Sequence, residues 1–151
     1  MDSENRTFRS PRERRLTEQL LLYWNTKRGE RKYPAMPEIK PEEIPELWPK
    51  CFLVAVKATE GKPEHNYTYI GTIVSAMFGG DYASASVLPL ADNLAPQYYM
   101  VMQAQKPMVQ ETQFTNLRGQ EVKYRQILLP LGSDGTAVDY VLGGISSNLT
   151  S

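Results

Sequence analysis

A chain of 151 residues, 41% hydrophobic and 23% charged, is long enough to bury a core as one domain with extensions. Its 17 Lys/Arg balance its 17 Asp/Glu, so the whole chain has no polyelectrolyte character. One cysteine, Cys51, rules out an internal disulfide, and no apolar run reaches the roughly 20 residues of a membrane span.

Residues 1–10 are polar and expected to be flexible. They lack the apolar stretch of a secretory signal, which with the single cysteine points to the cytoplasm. Ser10-Pro11 offers a helix start, as N-cap and first helical residue. Leu16, Leu20, Tyr23 and Trp24 follow at helical spacing, and Gly29 supplies a stop. Residues 32–49 contain five prolines. Pro41-Glu42-Glu43 can start one short helical turn there, and the rest reads as an extended connector.

CFLVAVKA, residues 51–58, is apolar at both alternating positions and reads as a strand buried on both sides. A turn at Glu60-Gly61-Lys62-Pro63 leads to a second strand over 65–72. IVSAMFGG reads as a short helix closed by Gly79-Gly80, and SASVLPL as a further short or irregular piece. Residues 92–105 place Leu94, Tyr98, Val101 and Met102 on one helical face, with Asp92 or Asn93 as cap. MVQETQFTN then opens a three-strand antiparallel meander. Its last two strands flank Ser133-Asp134-Gly135-Thr136, where Asp-Gly is a hairpin signal. The expected division is a flexible 1–10, a helix and proline-rich connector over 11–49, a core over 50–146, and a tail over 147–151.

The order helix, two strands, short helices, three strands is that of a PAS domain. The residues resemble a stand-alone PAS family common in alphaproteobacteria over roughly residues 18–145. The markers are Trp24, Arg28, Pro34, Ile39, Pro41, Ile44 and Leu47-Trp48-Pro49. They continue through Tyr67, Gly71-Thr72, Phe78-Gly79, Asp81, Pro107, Tyr124-Arg125, Leu129-Pro130-Leu131 and Asp134-Gly135. Met36 and Thr68 stand where the family commonly has Arg, and Ala83-Ser84 replaces Thr-Gly, so a shared anionic site is not carried over. The resemblance implies an α+β fold: a five-stranded antiparallel sheet with short helices on one face and the N-terminal helix on the other. It also implies a bacterial, non-enzymatic sensory or signalling module.

Catalytic patterns are sparse. His65 stands beside a turn with no second titratable group near it in sequence, which favours a structural role. Cys51 opens the central strand and reads as a buried, inert thiol. No zinc spacing, nucleophile elbow, Walker loop or dinucleotide fingerprint occurs. Haem-binding relatives use a histidine on the helix corresponding to 92–105, and flavin photosensors a cysteine in the short helices. Neither stands there, so no cofactor is assigned and no metal is expected. Gly143-Gly144 is expected to let another backbone approach closely. RTFRSPRERR carries five arginines but no base-reading module follows, so it reads as a solvated helix entry.

The candidate ligand-binding residues are Tyr67, Tyr69, Met77, Phe78, Tyr98, Met102, Leu128 and Tyr140, whose aromatic and thioether bodies suit a small-molecule pocket. Plain core packing needs the same residue types. Tyr67 and Tyr69 are expected to share one strand face. Within the meander, Val122, Tyr124, Gln126 and Leu128 line one face, and Ile127, Leu129 and Leu131 the other. The core helices cover one face, so the helix with Leu16, Leu20 and Trp24 is the expected cover over Ile127 and Leu129. Packed in cis it is a lid, and in trans it makes a homodimer. The expected function is sensing of a small ligand, or binding of a protein partner such as a regulatory kinase, with output through this helix. The alternatives are an adaptor without ligand, a small enzyme or a nucleic-acid binder.

Overall fold

A computed structural model describes residues 11–59, 62–77, 91–115 and 118–147. Helix α1 spans Pro11–Arg28. Leu16, Leu20 and Trp24 recur every four residues, so they share one face, and all three are buried. The expected cap, Ser10, lies outside the described residues.

The connector has the expected turn at Pro41–Glu43, and the rest of it differs from its extended reading. It folds into three 3-10 turns, Met36–Glu38, Pro41–Glu43 and Trp48–Lys50, each with a proline at its first or second position. The fixed φ of proline suits the entry to such a turn as well as it suits an extended chain. Bonds such as Ile39 N–H to the Met36 carbonyl and Ile44 N–H to the Pro41 carbonyl close them. The turns tuck Ile39 and Ile44 into the core.

The remaining elements are β1 (Cys51–Thr59), β2 (Lys62–Ile70), α2 (Thr72–Met77), α3 (Ala91–Ala104), β3 (Met108–Thr115), β4 (Glu121–Leu131) and β5 (Tyr140–Ser147). The five strands form one antiparallel sheet in the order β2-β1-β5-β4-β3. Thus β2 starts at Lys62, inside the expected turn, and gives way to α2 at Thr72. Glu60, Gly61, Phe78-Gly79-Gly80 and SASVLPL lie outside the described residues. Helix α3 starts at Ala91, which puts Pro96 in its interior.

Strands β4 and β5 pair as far as Leu131 with Tyr140, so residues 132–139 connect them rather than a tight two-residue turn. Asp134 organises this connection: its carboxylate accepts from the Thr136 N–H and hydroxyl. These bonds hold its pKa below the usual carboxylate range. Gly135 takes φ +77, which a side chain would resist.

Both faces of the sheet are covered. On one face α1 lies over β4 and β5, and its Trp24 indole N–H donates to the Pro130 carbonyl at 2.8 Å. The buried Ile127, Leu129, Leu131, Leu142 and Leu53 underlie it. Helix α3 lies over the opposite face, against β2, β4 and β1. Alternation along β4 sends Tyr124, Gln126 and Leu128 to that side.

Candidate functional site

The α3 side of the sheet gathers an aromatic and polar cluster. Tyr67 on β2 and Tyr98 on α3 meet hydroxyl to hydroxyl at 2.5 Å, with ring centroids 6.1 Å apart. Phe52 of β1 packs on both rings, at 5.8 and 6.2 Å. The half-buried His65 ring stands edge-on to the same two, at 5.7 and 5.6 Å. Desolvation dominates the electrostatics: burial pushes the Tyr67 and Tyr98 phenols well above their usual range, and that of Tyr124 up to about 12. At neutral pH these hydroxyls are uncharged donors and acceptors. A cavity of about 350 Å³ lies at the β1–β2 ribbon, lined by Ala55, Val56, Lys57, Glu64, His65 and Asn66.

A second polar group lies under the same helix. The side-chain amide of Gln126 donates to Gln97 Oε1 on α3 at 2.8 Å and to Gln110 Oε1 on β3 at 3.1 Å. Gln126 is fully buried, yet its own Oε1 has no hydrogen-bond partner.

Of the candidate ligand-binding residues, the structure brings Tyr67, Tyr98 and Leu128 to the core on the α3 side, with Met102 half-buried against it, while Met77 is buried in the core from α2, which packs against Trp48–Lys50. Phe78 lies outside the described residues. Tyr69 and Tyr140 do not join them. The β1–β2 register pairs Leu53 with Tyr69 but Val54 with Tyr67, leaving Thr68 as a β-bulge. Adjacent β1 residues face opposite ways, so the bulge sends Tyr67 and Tyr69 to opposite faces, against the shared face expected. Tyr69 stacks on Trp48 at 4.3 Å and donates its hydroxyl to the Trp48 carbonyl. Tyr140 pairs with Leu131 on the α1 side.

Leu20 and Trp24 of α1 join Ile127 and Leu129 in the buried core of the same chain, and Leu16 is buried as well. Cys51 is buried, its thiol bonded to the Leu47 carbonyl at 3.3 Å and its pKa pushed up to about 12 by desolvation. A thiol so protonated is a poor nucleophile.

The glycine pair of β5 links the two faces. It admits side chains, not the backbone expected. A Cβ on Gly143 would overlap the Phe52 ring, whereas one on Gly144 would stand 2.5 Å from Leu20 Cδ2. Phe52, in touch with Tyr67 and Tyr98, therefore rests on one glycine, and Leu20 of α1 rests on the next from the other side. Sequence reasoning missed Phe52, Gln97 and Gln126 as site residues. The available signal was Gln126 itself, an amide on the β4 face that otherwise carries Val122, Tyr124 and Leu128.

The PAS domain family model matches residues 12–146, and the chain belongs to that family. Such domains are in general sensory modules without catalytic activity. Among solved structures the chain is similar to a variant of RsLOV, with 18% identity and a TM-score of 0.48 over 73% of this chain and 68% of that one. It is also similar to the PAS domain of an HTR-like protein from Haloarcula marismortui, with 14% identity and a TM-score of 0.45 over 70% of this chain and 95% of that one. No curated protein matches it. Among the described residues no helix is long and apolar enough to cross a membrane.

Proposed function

We propose that the chain is a non-enzymatic sensory module of the bacterial cytoplasm that takes up a small ligand between α3 and the sheet. Core residues 50–146 hold the ligand, and α1 passes the change to a separate signalling protein such as a regulatory kinase. The observation that supports this reading is the contact running from Tyr67 and Tyr98 through Phe52 and the Gly143-Gly144 pair to Leu20. A ligand that displaces either tyrosine ring presses on Phe52, and the sheet has no Cβ there to absorb the movement. Such a ligand shifts α1 to the extent that it binds two arrangements of it unequally.

The test joins native mass spectrometry of the purified protein with hydrogen exchange. A retained small molecule is expected, and stripping it should change amide protection along α1. A retained molecule whose removal leaves α1 exchange unaltered would refute the signalling route.

An adaptor acting without ligand is the second reading, favoured by Leu22. This side chain is 67% exposed in a groove lined by Gln19, Tyr23, Thr26, Lys27 and Glu43 on the outer side of α1. It predicts that Leu22→Asp abolishes partner binding and leaves the small-molecule complement unchanged.

A further inference from the structure

Gln126 carries a polar atom that the protein itself does not satisfy. Its two amide protons are spent on Gln97 and Gln110, and its carbonyl oxygen is buried without a partner. Folded proteins leave very few such acceptors, because a desolvated carbonyl forfeits its bonds to water and regains nothing. Three amides from α3, β3 and β4 converge here, and they fix the Gln126 amide plane so that the oxygen turns away from both neighbours.

The described side chains nearby are uncharged: residues 72–77 and 96–104 contain no Asp, Glu, Lys or Arg, and Asp92 is the one charged residue of α2 and α3. Arg125 and Glu111, the nearest ion pair on the adjoining strands, alternate to the α1 side, where Arg125 also meets Thr17. Among the described side chains, the polar groups facing α3 include phenols held protonated, amides and His65. A ligand with a formal charge would be desolvated there with no counter-charge among these groups to offset it.

We propose that Gln126 Oε1 is the acceptor for an uncharged ligand that presents an N–H or O–H donor, an assignment that rests on the ligand-binding role argued above. Reversing all three amides together would instead leave an orphaned N–H and call for a ligand acceptor. A matched pair of probes separates these cases.

The test titrates the full chain with 2-pyridone, a neutral ring with an N–H, and with N-methyl-2-pyridone, the same ring without it. Binding is followed through the Gln side-chain amide resonances. Picolinate serves as the charged control. The expected result is that 2-pyridone binds about tenfold more tightly than its N-methyl analogue, shifts the Gln126 resonance, and outbinds picolinate. In Gln126→Met, which keeps length and volume, the two neutral rings should bind alike. Equal binding to the unaltered protein, a reversed preference, or binding by neither ring overturns the proposal, and the unaltered protein decides even where the variant does not fold. A co-purifying molecule that proves charged or donor-free also overturns it while leaving the ligand-binding role standing. If no molecule co-purifies and no probe binds, both fall.

Discussion

Gly143→Ala is the sharpest perturbation of the link between the two layers. The new methyl falls on the Phe52 ring, and Phe52 is fully buried, so the ring cannot swing out to solvent. Overpacking of this kind costs about 1–3 kcal/mol, and a ring clamped between two tyrosines belongs at the upper end. Phe52→Leu alone leaves a partial cavity and should cost about 1–2 kcal/mol. Combined, the leucine makes room for the methyl and the methyl fills part of the gap. The double variant should then be more stable than additivity predicts by about 1–2 kcal/mol, the size of coupling that contacting residues show. Urea unfolding of the four proteins, with constant m, measures this directly. Strict additivity would mean that the ring does not rest on Gly143, and the route from Tyr67 and Tyr98 to α1 would lose its middle member.

Trp24→Phe should keep the packing of α1 but leave the buried Pro130 carbonyl without its indole partner, at a cost of about 1–3 kcal/mol in chemical unfolding. Alkaline pH should destabilise the fold. The raised pKa values of Tyr67, Tyr98 and Tyr124 mean that the folded chain keeps phenolic protons which the unfolded chain releases near pH 10. Their contribution is therefore complete below pH 10 and drains away as pH rises towards the folded values; for Tyr124, moved from 10.0 to about 12, this is roughly 2–3 kcal/mol. Urea midpoints at pH 8 and pH 11 test the sign, and an unchanged midpoint would contradict the burial of these phenols. Lys27→Ala, which removes the solvent-exposed pair with Glu43, should leave the urea midpoint nearly unchanged, and any shift should shrink further in high salt.

The two covers of the sheet were legible because β4 turns apolar on both faces over Ile127–Leu131, so each side needs shelter. Ile127, Leu129 and Leu131 could not be solvated, and α1 carried the only unassigned apolar stripe, at Leu16, Leu20 and Trp24. Tyr140 was not placeable in the same way, since YVLGGI is apolar at both parities and gives no clue to which face a residue takes. Tyr69 failed for a different reason. The bulge at Thr68 has neither Gly nor Pro to announce it and comes from pairing with β1, a tertiary fact. Of the three proline turns only Pro41–Glu43 was legible, because proline's φ serves both extended and 3-10 backbone. The glutamine cluster joins positions 97, 110 and 126, and no local pattern connects residues on three separate elements.

The extra residue at Thr68 lets one edge ribbon serve two compartments. Its Tyr67 end is bolted to the helical roof through Tyr98, while two positions later Tyr69 is pinned beneath Trp48 on the floor below. Shortening the ribbon by Thr68 would turn one of these anchors out of its socket, whichever way the chain chose to slide. That single surplus peptide unit thus fastens the two halves of the molecule at its rim, independently of the glycine bearing at its centre.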